Sequence, residues 1–107
     1  ERQSSLDQGQ RQNMEVSYSI TLHPLVTARD IPRLDAFLRQ TIRDAIREKL
    51  TKRPEVYGKP LRYTLKGCRS LRVGDHRVVF QIQRRIVHIV AVIHRRTEYR
   101  GVEQRLH

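Results

Sequence analysis

The chain contains no tryptophan and only one cysteine and one methionine; four tyrosines and two phenylalanines are all its aromatic residues. Cys68, being alone, cannot close an internal disulfide. No stretch of about 18 apolar residues occurs, which excludes a membrane-spanning helix. Nor is there the basic start, apolar stretch and small-residue cleavage site of a secretory signal. Together with the lone cysteine, this predicts a cytoplasmic protein. The five histidines, His23, His76, His88, His94 and His107, show neither HxxxH nor Cys/His ligand spacing, so neither a metal site nor any other cofactor is expected. With 107 residues, 37% of them hydrophobic, one domain with a thin core is the expectation.

Cationic charge is abundant. Lys and Arg number 22 against 11 acidic residues, a net charge of +11 with a sequence pI near 11.0. Within residues 1–13, Glu1 and Asp7 cancel Arg2 and Arg11, so the whole excess falls on residues 14–107. Such a surplus on a small fold repels itself unless a polyanion screens it. Nucleic acid is the leading partner on these grounds, with an acidic protein or an anionic membrane surface as alternatives. Most of the cations are arginines, whose planar fork fits phosphate oxygens better than an ammonium does.

Residues 1–13 are polar and lack a hydrophobic period. They read as a disordered or appended leader, with Met14 as a plausible start. Val16, Tyr18, Ile20 and Leu22 then alternate with polar residues, a strand signal. His23-Pro24 opens a short helical piece, and Pro32 is expected to interrupt it near Ile31. A longer helix is expected over residues 32–52, because Leu34, Leu38, Ile42, Ala45, Ile46 and Leu50 form one apolar stripe. Pro54 ends it, and residues 55–60 read as a loop. Strands are expected at residues 61–66, around Leu71 and Val73, at 76–82 and at 86–93, with Gly74-Asp75 and Gln83-Arg84-Arg85 as turns. This order predicts an α+β fold: an N-terminal strand, two helices, then a three- to four-stranded antiparallel sheet with the helices on one face. The opposite face would carry Arg62, Lys66, Arg72 and Arg77 as a cationic trough for a single-stranded phosphate backbone.

Three blocks carry a family likeness: Tyr57-Gly58-Lys59-Pro60-Leu61, Leu65-Lys66-Gly67, and the run from Arg69 to Phe80 that contains Leu71-Arg72-Val73-Gly74-Asp75-His76-Arg77. With Ile93-His94-Arg95-Arg96 and Tyr99, they make residues 16–102 resemble the RelE/ParE toxin superfamily. The resemblance implies a two-layer RelE-like fold and the toxin of a type II toxin–antitoxin system. It further implies a metal-independent endoribonuclease that cleaves mRNA on the ribosome, in contact with 16S rRNA, by attack of a ribose 2′-hydroxyl on its neighbouring phosphorus. A cognate antitoxin is implied as partner; neither a membrane nor a small-molecule cofactor is.

By the same resemblance Arg77 meets the scissile phosphate, and Arg95 meets the phosphate or the leaving oxygen. Tyr99 is a base or a stacking partner, and His94 is a second acid–base candidate. A phenol serves as base only beside strong positive charge, which Arg77, Arg95 and Arg96 supply. Arg62, Lys66, Arg69, Arg72 and Arg96 are expected on RNA. Plainer readings stand beside these: Arg77 as an ion-pair partner of Asp75 or Glu98, Tyr99 as a ring laid over the sheet edge, the other cations as a solvated face. The chain departs from the family where Cys68 and Ser70 stand at positions that are usually lysine. A ParE-like inhibitor of DNA gyrase and an inactive, antitoxin-binding relative are the alternative functions.

Overall fold

The computed structural model describes residues 17–106; the leader, Met14, Val16 and His107 lie outside them. The first strand, β1 (Ser19–Leu22), pairs in parallel with the last, β5 (Ile86–His94), Ser19 lying opposite Ile86 and Leu22 opposite Ile89. The remaining strands are β2 (Lys59–Pro60), β3 (Cys68–Val73) and β4 (His76–Gln83). They complete one mixed sheet in the order β1-β5-β4-β3-β2, antiparallel except at β1. The Gly74-Asp75 turn joins β3 to β4 as expected. Gly74 takes a φ of +60°, a left-handed conformation that costs glycine nothing.

The apolar stripe forms the helical layer. Asp35 caps α1 (Ala36–Ala45), its side chain accepting the Leu38 N–H at 2.7 Å. The helix runs on as a π-helical turn, Ile46–Leu50. Leu34, Ile42 and Leu50 pack with Leu71, Val73, Val78, Phe80, Val87, Ile89 and Val92 of the sheet. Pro32 does not break the chain at Ile31. A π-helical turn (Val26–Asp30) leads directly into a 3-10 turn (Ile31–Arg33), where proline sits in the first turn without forfeiting a bond. The break comes at Leu34, which is extended so that Asp35 can cap the next helix.

The strand expected at residues 61–66 is absent. A 3-10 turn occupies Tyr63–Leu65, and pairing with β3 falls instead at Lys59–Pro60, within the expected loop. Pro54 starts a four-residue helix, α2 (Pro54–Tyr57), rather than only ending the previous one. Two contacts fix this segment. The Arg69 guanidinium donates to the carbonyls of Glu55 and Gly58 at 3.2 and 2.9 Å. Gly58 also lies against the Phe80 ring, where a Cβ would overlap Cζ and stand 2.9 Å from Cε1. Gly58→Ala is accordingly expected to cost about 1–3 kcal/mol through overpacking, read as a lower midpoint of urea denaturation.

The second sheet face is partly covered, which the sequence reading did not anticipate. A C-terminal helix, α3 (Arg100–Arg105), inserts Val102 among Leu65, Cys68, Val79, Val90 and Ala91. The register shifts between Val79/Phe80 and their β5 partners Ala91/Ile89, leaving Val90 unopposed. That bulge lets Val87, Ile89 and Val92 face the helical layer while Val90 and Ala91 face α3.

An ion pair closes the edge of β5 that β1 leaves uncovered. Asp30 (4% exposed) receives two bonds from Arg105, Nη1 to Oδ2 at 2.6 Å and Nη2 to Oδ1 at 2.9 Å. Asp30 also accepts the Val92 N–H at 2.9 Å, and Arg105 donates to the Val90 carbonyl at 3.0 Å. Beyond the end of β1 these two side chains supply what a longer strand would have supplied.

His23 stands next to this pair. Burial, then the Arg105 guanidinium, then His88 push its imidazole below the ordinary 6.5, with Asp30 opposing. A lowered folded value means that the unfolded chain takes up this proton first as the pH falls. The contribution of His23 to stability is therefore lost as pH drops below about 6.5, down to the folded value. Thermal midpoints are expected to fall from pH 7.5 to 5.5, and less so in His23→Gln.

Candidate functional site

At the β3–β4 turn end of the sheet, the face that carries α3 brings together side chains far apart in sequence. Arg77 lies opposite Arg72 on β3 and opposite Ile93 on β5. Its Nη1 donates to the Tyr99 Oη at 2.8 Å, and its Cζ stands 6.0 Å from the Tyr99 ring centroid. Tyr99 leads into α3 and packs against the Leu65–Val102 cluster, so the helix that covers the face also places the phenol. The Arg72 Nε donates to the Gly74 carbonyl at 3.1 Å.

Arg95 follows β5 at the same end. Its N–H donates to the Asp75 carbonyl at 2.7 Å, and its Nε lies 3.4 Å from Asp75 Oδ1 in a half-exposed pair. The plainer pairing with Asp75 thus belongs to Arg95 and not to Arg77. Arg77, Tyr99, Arg72 and Arg95 gather around one end of adjacent strands. Arg-rich surroundings of this kind favour a phosphodiester and stabilise charge building on its oxygens.

The other expected site residues are dispersed. By strand alternation His94 lies on the helical-layer side with His76, its cross-strand partner. Their rings meet edge to face at 5.3 Å, and His94 Nδ1 accepts the Arg96 N–H at 3.2 Å. The imidazole is therefore turned away from Arg77 and Tyr99. Arg96 is exposed beside it. Arg62 and Lys66 flank the Tyr63–Leu65 turn, exposed, and are not the strand-borne cations of a continuous trough. Arg69 faces the helical layer and holds the α2–β2 segment.

Cys68 is 2% exposed. Burial raises its thiol above the ordinary value, against the pull of a Gln81 hydrogen bond. A neutral, buried thiol gives a phosphate nothing in place of a lysine. Ser70 is half-buried. Among the described residues no three His, Cys, Asp or Glu side chains cluster as metal ligands, and no helix is long and apolar enough to cross a membrane.

Sequence reasoning missed α3, and with it Asp30 and Arg105. The signal was present in Tyr99, Val102 and Leu106, spaced three and four apart as one helical face.

This fold with its arginine-rich strand ends is that of a type II toxin. Residues 21–99 match the family described as ParE toxin of type II toxin–antitoxin system, parDE, and the chain belongs to that family, within the RelE/ParE superfamily. It is similar to Toxin RelE of Mycobacterium tuberculosis (strain ATCC 25618 / H37Rv), 36% identical over 75 residues that span 68% of this chain and 77% of that protein. Among solved structures it resembles the toxin–antitoxin complex RelBE2 from Mycobacterium tuberculosis. The match has a TM-score of 0.66 and 28% identity, over 74% of this chain and 99% of that one.

Proposed function

We propose that this toxin is a ribosome-dependent endoribonuclease that cleaves mRNA without a metal. The observation that carries the reading is the Arg77–Tyr99 hydrogen bond, 2.8 Å long, on a face edged by Arg72 and Arg95. The Tyr99 oxygen, held in place by the Arg77 guanidinium, is the group positioned to take the proton of a ribose 2′-hydroxyl. The freed oxygen attacks the adjacent phosphorus, the P–O5′ bond breaks, the departing 5′ oxygen takes its proton from water, and a 2′,3′-cyclic phosphate remains. Arg77 and Arg95 neutralise the phosphoryl oxygens as charge builds on them. His94 is left out of this scheme because its ring lies across the strand from Tyr99.

A cognate antitoxin is the expected protein partner. An apolar groove of about 390 Å³ runs between α1 and the β1–β5 side of the sheet, lined by Ile20, Leu22, Ile42 and Ile89 and bordered by Arg39, Arg43 and Arg47. Its chemistry favours a segment with an apolar face and acidic margins.

Two observations keep a second reading in view: the family match to ParE toxins and the buried Cys68. On that reading the protein poisons DNA gyrase and cuts no RNA. Purified toxin added to translating ribosomes, with mRNA ends mapped by primer extension, separates the two. Discrete cuts in the decoding site support the nuclease. Intact mRNA with gyrase-trapped DNA breaks supports the gyrase poison, and neither result leaves an inactive, antitoxin-binding relative.

A further inference from the structure

Tyr63 occupies a backbone conformation that its own side chain disfavours. Its φ is +58°, in the left-handed region where a Cβ crowds the following carbonyl and where glycine or asparagine is at home. Packing does not repay the strain, because the residue is 89% exposed. The turn itself is firmly set. Leu65 is buried in the cluster against which Tyr99 packs, the Lys66 N–H donates to the Tyr63 carbonyl at 3.0 Å, and the Leu65 N–H to the Arg62 carbonyl at 3.1 Å. A rigid turn thus holds a bare aromatic ring beside the Cys68 end of β3, the strand whose far end carries Arg72 opposite Arg77, and sets it between two exposed cations, Arg62 and Lys66. Arg84 takes the same φ in the β4–β5 turn, so what sets Tyr63 apart is the exposed aromatic ring with no packing partner, open to a contact outside the fold.

We infer that Tyr63 is a stacking platform for one unpaired nucleobase of single-stranded RNA, with Arg62 and Lys66 on the phosphates to either side. The inference rests on the RNA reading of the previous subsection and adds to it a base-contacting residue on a separate element. Stacking on an aromatic ring tolerates every base, since each has a π face. Tyr63 therefore contributes affinity and a fixed path for the strand rather than choice of sequence. A strand running the length of β3, from this turn to Arg72 and Arg77 at its far end, meets cations at both ends, which favours a polyanion over an apolar protein surface as the occupant.

The test uses an end-labelled RNA of about ten unpaired nucleotides and the same strand carrying abasic riboses through its middle, both followed by fluorescence anisotropy at low ionic strength. The wild-type protein is expected to prefer the intact strand by about tenfold, and Tyr63→Phe to keep that preference. Tyr63→Gly is expected to bind both strands equally, at the abasic level. Because glycine relaxes the left-handed backbone, its thermal midpoint should match or exceed the wild-type value, which separates lost stacking from lost folding. A preference for the intact strand that survives in Tyr63→Gly overturns the stacking role and leaves the RNA reading standing. So does a Tyr63→Gly variant that binds RNA normally and fails only in capturing an antitoxin. Wild-type protein that binds neither strand overturns the stacking role, while the nuclease reading is decided separately by mRNA cuts on translating ribosomes.

Discussion

Replacing Asp30 with alanine is expected to lower stability by about 3–5 kcal/mol, the usual cost of stranding one partner of a buried ion pair. The Arg105 guanidinium would keep its charge in a site where its side chain is only 9% exposed, and the Val92 N–H would lose its acceptor. Small domains have about 5–15 kcal/mol in hand, so the variant should unfold at a markedly lower urea concentration. Asp30→Leu combined with Arg105→Met should recover part of the loss, because apolar groups of similar volume replace a buried pair at little cost. Recovery will stay incomplete, since Val92 N–H and Val90 C=O still lack partners. A loss below about 1 kcal/mol in Asp30→Ala, the range of an exposed pair, would contradict the described burial.

The second large effect concerns Arg77. Arg77→Ala is expected to slow mRNA cleavage on programmed ribosomes by about 10²–10³-fold, the usual cost of removing one preorganised donor to a developing oxyanion. Arg77→Lys should restore little, because an ammonium cannot reach the Tyr99 oxygen and a phosphate with one planar fork. Tyr99→Phe keeps the ring and removes only the oxygen. A loss of about 10²-fold or more is expected if the phenol is the base, whereas an unchanged single-turnover rate would reduce Tyr99 to a packing group. Circular dichroism of each variant guards against misfolding as the cause.

Local signals in the sequence carried much of this architecture. The stripe from Leu38 to Leu50, the Gly74-Asp75 turn and the alternation in β4 each rest on neighbours a few residues away, and each forms as read. Leu34, expected in the same helix, is instead the extended residue before Asp35 caps it. The misread segment, residues 61–66, alternates just as well. Its fate depends on Arg69 gripping Gly58 and Glu55, and on the Phe80 ring leaving no room for a side chain at Gly58. Those are contacts across more than ten positions, which no local pattern contains. The Asp30–Arg105 pair is more remote still, joining residues 75 positions apart. The site divides in the same way. Arg77 and Tyr99 meet because β4 and the turn before α3 share a face, while His94, next to Arg95 in sequence, is sent to the other face by strand alternation.

The placement of β5 also governs when the molecule can assemble. The last strand in the chain is the inner neighbour of the first, and it separates β1 from β4. A nascent chain that has not yet produced residues 86–94 holds β1 without its partner and β4 with a bare inner edge. It also lacks Val87, Ile89 and Val92, about which the helical layer closes. Docking β1 then requires a loop of more than sixty residues to close, the kind of distant pairing that slows folding. Translation products cut short before residue 86 are therefore expected to remain without a native core, and Arg77 and Tyr99 meet only once the chain has passed Tyr99.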